Sequence, residues 1–286
     1  MPKVLARADI VRYHETGIHF PVPVLSPQEA TTLAQRFEDL RVHEAQRLGC
    51  ENKQMQNRHM LVGWISDLIR NPKLLDAVED ILGPNILVWS TQFFAKKARD
   101  PRFVSWHQDS TYYGLSSNEV MTAWLALTPS RLENGCLRVV PGSHKEQVPH
   151  IDTFDENNLL MRGQHVAVNV DEDKVLYVEL EPGQASFHNV LIFHGSQANT
   201  SDNPRIGFAI RYIPTHVYQT TGLRDCATLV RGVDQYGHFD LVPPPVSDFH
   251  PEALAHHAAS VEMQLQTHYA AAAAAAKQAY RPASAS

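Results

Sequence analysis

The stretch Phe103-Val104-Ser105-Trp106-His107-Gln108-Asp109 ends a strand-like run on a histidine and an aspartate two positions apart, then turns through Ser110-Thr111-Tyr112-Tyr113-Gly114. Side chains at i and i+2 of a strand point the same way, so two metal-capable donors meet where a rolled sheet would open its pocket. Outward from this stretch, Ile86 onward carries short runs rich in Val, Ile, Phe, Trp and Thr, separated by turn chemistry such as Pro141-Gly142-Ser143 and Pro182-Gly183. Strands are predicted near 86–95, 103–107, 120–128, 136–140, 165–170, 175–180, 184–194 and 205–214. So many short strands in one region predict a jelly-roll or barrel, mainly β, with flanking α-helices packed on an otherwise exposed apolar face.

The first third reads helical. Ser26-Pro27-Gln28-Glu29 is a capping-box start with Leu33, Phe37 and Leu40 at helical spacing, and Asn71-Pro72 opens a second helix that ends at Gly83. Between them the polar, Met-rich segment 51–64 is expected to be a mobile loop, with Met55, Arg58, His59, Met60 and Trp64 as lid residues. The expected organisation is one domain over 1–245, helical to about 85 and jelly-roll over about 86–220. An Ala/His-rich peripheral helix and frayed tail follow over 246–286, with His250, His256, His257 and His268 exposed.

The 286 residues carry 25 Lys+Arg against 31 Asp+Glu, a net charge of −6. A nucleic-acid binder would need a basic face, and Lys96, Lys97, Arg99 and Arg102, interrupted by Asp100, read instead as a solvated loop. No run approaches the roughly 18 apolar residues of a membrane span. Three scattered cysteines suit a reducing, cytoplasmic setting. No motif sets an oligomeric state.

Sixteen histidines and 31 acids predict roughly 1.7 chance His-x-Asp/Glu pairs. The chain has five: His107/Asp109, His144/Glu146, His150/Asp152, His238/Asp240 and His250/Glu252. The last two have only tail histidines after them, and the middle two read as loop residues, which leaves His107/Asp109. Two histidines and a carboxylate on one face of a metal leave positions open for a co-substrate and dioxygen. The third ligand lies on Phe187-His188-Asn189-Val190-Leu191-Ile192-Phe193-His194. A regular strand would hold His188 and His194 about 20 Å apart, so only one can serve. A hairpin after His194 would fold Arg205 back beside it, where a guanidinium can grip a carboxylate bidentately. That favours His194 and makes His188 a hydrogen-bonded core or supporting histidine.

Trp106-His107-Gln108-Asp109, Glu133-Asn134-Gly135-Cys136-Leu137, Pro141-Gly142-Ser143-His144, His194-Gly195-Ser196, Asn199 and Arg205 together resemble the phytanoyl-CoA dioxygenase family over about residues 10–220. The resemblance implies a double-stranded β-helix, a cupin-like jelly-roll, using iron(II), 2-oxoglutarate and O2. It implies that His107, Asp109 and His194 ligate iron and that Arg205, assisted by Ser196, holds the distal carboxylate of 2-oxoglutarate, with Trp124 and Gln92 lining the same pocket. The family has a halogenase branch in which a small neutral residue replaces the acidic ligand, so Asp109 argues for hydroxylation.

The expected reaction is hydroxylation of an aliphatic carbon of a small molecule, releasing succinate and CO2. Trp106, Tyr112, Tyr113 and Phe193 are candidates for contact with the substrate, and Arg211, on the face of Arg205, could pair with an anionic one. The short chain and negative charge lean toward a free small molecule. Two alternatives stand beside this reading: a metal-dependent hydrolase or isomerase on a cupin-like fold without 2-oxoglutarate, and a non-catalytic jelly-roll binding module.

Overall fold

The computed structural model describes residues 2–48 and 55–279. Its strands are β1 (Ile18–Pro23), β2 (Ile86–Lys96), β3 (Val104–His107), β4 (Met121–Ala126), β5 (Leu137–Val140), β6 (His150–Ile151), β7 (His165–Val166), β8 (Leu176–Val178), β9 (Gln184–Asn189), β10 (Phe193–Ser196), β11 (Arg205–Pro214), β12 (Cys226–Arg231) and β13 (Asp240–Leu241). The helices are α1 (Arg7–Thr16), α2 (Pro27–Leu48), α3 (Gly63–Leu68), α4 (Pro72–Leu82), the single turn α5 (Ser110–Tyr113) and α6 (Pro251–Ala279).

A seven-stranded sheet in the order β1-β9-β4-β11-β2-β12-β13 faces a four-stranded sheet in the order β3-β10-β5-β8. From β2 to β5, and again from β9 to β11, the chain crosses between the two sheets at every connection, which is the winding of a double-stranded β-helix. The expected jelly-roll with flanking helices is therefore the observed fold.

Strand β11 is buried along its whole length and feeds two different interiors. Ile206, Phe208, Ile210 and Tyr212 pack outward with Phe37, Ile65, Leu74 and Val78 from the helical layer. The alternate residues Arg205, Ala209 and Arg211 line a cavity between the sheets. Helix α4 starts where expected, Asn71 accepting from the backbone N–H groups of Lys73 and Leu74 at 3.0 and 3.4 Å with Pro72 in the first turn. The capping box at α2 also forms: Ser26 N–H donates to Glu29 at 2.7 Å, and Glu29 N–H to Ser26 Oγ at 3.3 Å.

Several expectations change. The predicted 184–194 strand is two strands, β9 and β10, in different sheets, because Val190–Ile192 carry the chain across between them. Strands β1 and β12 lie outside 86–220 yet join the large sheet. Pro21 and Pro23 disguise β1, and its place at the sheet edge is where a strand tolerates proline.

The expected lid is not one over its described part: Met55, Arg58, His59 and Met60 are buried, and Arg58 pairs with buried Glu44 at 2.5 Å. Residues 51–54 of that segment, and the tail expected to fray over 280–286, lie outside the described residues. Nor is α6 wholly peripheral. Ser260, Gln264 and Thr267 are buried, and the Gln264 carboxamide accepts from Gln56 and Asn57 at 2.6 and 3.0 Å while donating to the Trp89 carbonyl at 3.1 Å. His256 is exposed as expected, whereas His250, His257 and His268 are partly buried.

Phe93 of β2 ties the sheet to the helices, its ring 4.6 Å from that of Phe37 and stacked 4.4 Å from that of Phe208. Phe93→Ala is expected to lower the unfolding free energy by about 3–5 kcal/mol in urea titrations, whereas exposed Phe154→Ala changes it by no more than about 0.5 kcal/mol.

Candidate active site

Strands β3 and β10 pair antiparallel with His107 directly opposite His194, and their ring centroids stand 4.0 Å apart. Each ring is locked by the same device. His107 Nδ1 donates to the Ser105 carbonyl and His194 Nδ1 to the Ile192 carbonyl, both at 3.0 Å. A carbonyl can only accept, so the proton sits on Nδ1 and leaves each Nε2 with a free lone pair.

The chain turns into α5 at Asp109, swinging its carboxylate to 3.3 Å from His107 Nε2 and 4.0 Å from His194 Nε2. Among the described residues these three form a buried group whose donor atoms all lie within 4.8 Å of one another, positioned to hold a metal ion. Burial alone would raise the Asp109 carboxyl. The adjoining His107 and His194 rings and the Arg211 guanidinium together outweigh it and hold the group well below the usual carboxylate range. Burial, then repulsion from His107, holds His194 well below the ordinary imidazole range, so its ring is neutral.

Gln108, between His107 and Asp109, has a structural role that the motif did not disclose. Its buried carboxamide donates to the carbonyls of Glu146 and Leu191 at 2.8 and 2.6 Å and accepts from Val148 N–H at 2.9 Å, tying the end of β3 to the segment that leads into His194. His150, expected to be a loop residue, accepts from Gln108 N–H at 2.9 Å and holds the peptide between His107 and Asp109. Tyr113 completes the support, its hydroxyl hydrogen-bonded with Asp109 and accepting from Arg211 Nε at 2.5 Å.

His188 is not 20 Å from His194. Because the chain changes sheets between them, their rings face each other 4.9 Å apart. Burial pushes His188 down to about 4, and its Nδ1 has no hydrogen-bond partner among the described residues.

The cavity beside His107, Asp109 and His194, of about 140 Å³, is lined by Gln92, Trp124, Ser196 and Arg205 at one end and by Tyr112, Tyr113 and Arg211 near Asp109. Arg205 reaches it from β11 across the sandwich, not from a hairpin beside His194: β11 pairs with β2 and β4. Its guanidinium sits 5.3 Å above the Trp124 ring, and Nε, fully buried, has no partner among the described residues. Gly207 makes this stack possible, since a Cβ there would lie 1.9 Å from the Trp124 ring.

Trp106 and Phe193 do not line the cavity. Each neighbours a ligand histidine on its strand, so alternation turns it away, and Trp106 lies instead under Arg138 at 4.3 Å and donates to Glu172 at 3.2 Å. Two further residues come from unexpected places. Lys96, read as part of a solvated loop, is fully buried behind Ser196. His268 of α6 stacks on Tyr112, centroids 4.8 Å apart and planes 18° from parallel, lines the cavity and has a buried Nε2 without a partner among the described residues. The alanine-rich sequence around His268 gave no sign of it.

A family model described as phytanoyl-CoA dioxygenase (PhyH) matches residues 13–207. The chain belongs to the phytanoyl-CoA dioxygenase family. It is 26% identical over 175 residues to a Stutzerimonas stutzeri protein named "Probable alpha-ketoglutarate-dependent hypophosphite dioxygenase", a match covering 59% of this chain and 60% of that one. The apo structure of ThoJ, described as a non-heme monooxygenase, superposes with a TM-score of 0.82 at 32% identity, covering 92% of this chain and 98% of that one. CytC3, solved with Fe(II) and alpha-ketoglutarate, shares the fold with a TM-score of 0.62 at 24% identity, over 83% of this chain and 92% of its own.

The residues fit the family's cofactors. Two imidazoles and a carboxylate are a donor set for iron(II) with open positions, and a buried guanidinium without an ion-pair partner among the described residues meets the need of a dicarboxylate.

Anaerobic calorimetric titration with Mn(II) is expected to give one site per chain. Asp109→Ala should weaken it by more than about tenfold, while His188→Ala keeps the stoichiometry, because His188 lies beside the donor group and not in it.

Proposed function

We propose that this protein is an iron(II)- and 2-oxoglutarate-dependent oxygenase that hydroxylates an aliphatic carbon of a small molecule and releases succinate and CO2. The observation that carries the reading is the pairing, in one buried cavity, of a His-Asp-His donor group with a guanidinium that has no ion-pair partner among the described residues. Iron with bound 2-oxoglutarate would supply the oxidising chemistry, activating dioxygen as the oxo acid is decarboxylated.

The protein's part is positional. His107, Asp109 and His194 would hold the metal, with the two imidazole tautomers set by the Ser105 and Ile192 carbonyls. Arg205 would take the distal carboxylate of the co-substrate, with Ser196 donating beside it and Trp124 and Gln92 forming the wall. The Asp109 carboxylate, oriented by Tyr113 and Arg211, fills the position that would otherwise be open to a halide, which supports hydroxylation over halogenation. Burial of the whole group excludes water from the reacting centre.

The substrate would enter at the Tyr112, Tyr113 and Arg211 side. The Nη groups of Arg211 have no hydrogen-bond partner among the described residues, and Leu159, Leu160 and Met161 give that side an apolar surface. A small molecule with an aliphatic body and an anionic group suits this chemistry.

Anaerobic titration of the iron(II)-loaded protein with 2-oxoglutarate is expected to produce the visible charge-transfer band of the chelate, and Arg205→Ala to weaken that binding by about 30-fold or more, the loss of a buried charge-assisted pair. Absence of the band in folded, iron-bound wild-type protein overturns the proposal. Full turnover by Arg205→Ala would point to metal chemistry that needs no 2-oxoglutarate.

A further inference from the structure

The following rests on the co-substrate reading above. Lys96 closes β2 directly opposite Arg205 in the β2–β11 register. Its side chain is fully buried, does not line the cavity, and donates from Nζ to Ser196 Oγ at 2.7 Å and to the Gln197 carbonyl. The Glu133-Asn134-Gly135 turn leaves room for this. Gly135 has φ +71°, and a Cβ there would lie 2.2 Å from the Gln197 oxygen and 3.0 Å from Nζ.

A hydroxyl that accepts from an ammonium must turn its own proton elsewhere, and no group among the described residues accepts from Ser196. Arg205 Nε, in the lining of the same cavity, has no partner among the described residues. Asp100, the carboxylate on this side, is held by Arg102 at 2.5 Å and by the Lys97 N–H at 3.2 Å. The Arg205 end of the cavity therefore sets a buried guanidinium and a buried amine beside a hydroxyl whose proton is uncommitted, with no carboxylate paired to either among the described residues.

We propose that Lys96 is a positioning residue for the co-substrate: its ammonium fixes Ser196 Oγ as an acceptor, so that the hydroxyl proton is delivered to the carboxylate that Arg205 holds.

A proton balance follows. Burial first, and then the neighbouring Arg205, push Lys96 down to about 6. The groups facing it are Arg205 from β11, Asp100 and Arg102 from the loop after β2, and Cys136 beside β5, whose thiol burial pushes up to about 11 and keeps uncharged. At neutral pH the amine is largely discharged, and the arriving carboxylate stabilises its charged form, drawing a proton from solvent onto Nζ. Binding is then coupled to proton uptake, and affinity falls as pH rises above about 6, by up to about tenfold per pH unit.

The test is anaerobic titration of the iron(II)-loaded protein with 2-oxoglutarate at pH 6.5, 7.5 and 8.5, followed by chelate absorbance. Calorimetry at pH 7.5 in phosphate and in Tris reads the proton uptake. Wild-type affinity should decline across the series with an uptake approaching one proton. Lys96→Met should bind at least about tenfold more weakly at pH 6.5, with a flatter pH profile and no uptake. Adding Lys96→Met to Ser196→Ala should lose little beyond either change alone, since the lysine acts through the serine.

Proton-neutral binding by the wild type, a measurement that needs no variant, overturns the proposal. So does a Lys96→Met protein within twofold of wild type at every pH. Wild-type protein that takes up no 2-oxoglutarate overturns the functional reading, and this inference with it.

Discussion

The antiparallel register that sets His107 against His194 is the constraint on which the site depends. Slipping one strand by a residue would turn one imidazole to the other face of the small sheet and leave Asp109 with a single partner. The register is held by more than the ladder. Gln108 joins the end of β3 to the carbonyls of Glu146 and Leu191, and His150 holds the Gln108 peptide, so the short strands are fixed by side-chain hydrogen bonds beside the donor group itself. Each histidine also donates to the carbonyl two residues before it, so ring orientation follows from the strand backbone.

The large sheet contributes through the opposite property, a strand with no exposed face. β11 sends Ile206, Phe208, Ile210 and Tyr212 into the helical layer and Arg205, Gly207, Ala209 and Arg211 toward the cavity. The two small residues leave space between two arginines, and the absence of a side chain at Gly207 admits the Trp124 ring beneath the first of them. Buried guanidiniums are tolerable only where something accepts from them. Arg211 has Tyr113, whereas Arg205 has an aromatic face and an Nε with no partner among the described residues.

Much of this was legible in the sequence, because local rules and the fold agree there. Alternating β-branched and aromatic runs marked most of the jelly-roll strands, Asn71-Pro72 and Ser26-x-x-Glu29 marked helix starts, and the strand-end placement of His107/Asp109 singled that pair out among five. The errors came where local pattern and tertiary route part company. The apolar run 184–194 gave no sign of the crossing between sheets, so His188 was misplaced by most of the assumed separation. Lys96 looked solvated because its neighbours Lys97 and Arg99 are exposed. Pro21 and Pro23 argued against a strand that the sheet edge accepts. His268 lay in a stretch whose composition spoke only of helix.

The last of these has its own consequence. The family match ends at residue 207, yet α6 returns from beyond it to place His268 against Tyr112 within the cavity, while Gln264 braces the helix on β2. The His-Asp-His donor group and this one wall of the cavity thus come from separate stretches of polypeptide. Exchanges at the cavity-facing position of that helix can reshape the chamber while every strand pairing around the donor group stays as it is, a division of labour that lets the shape of the cavity drift without disturbing the His-Asp-His geometry.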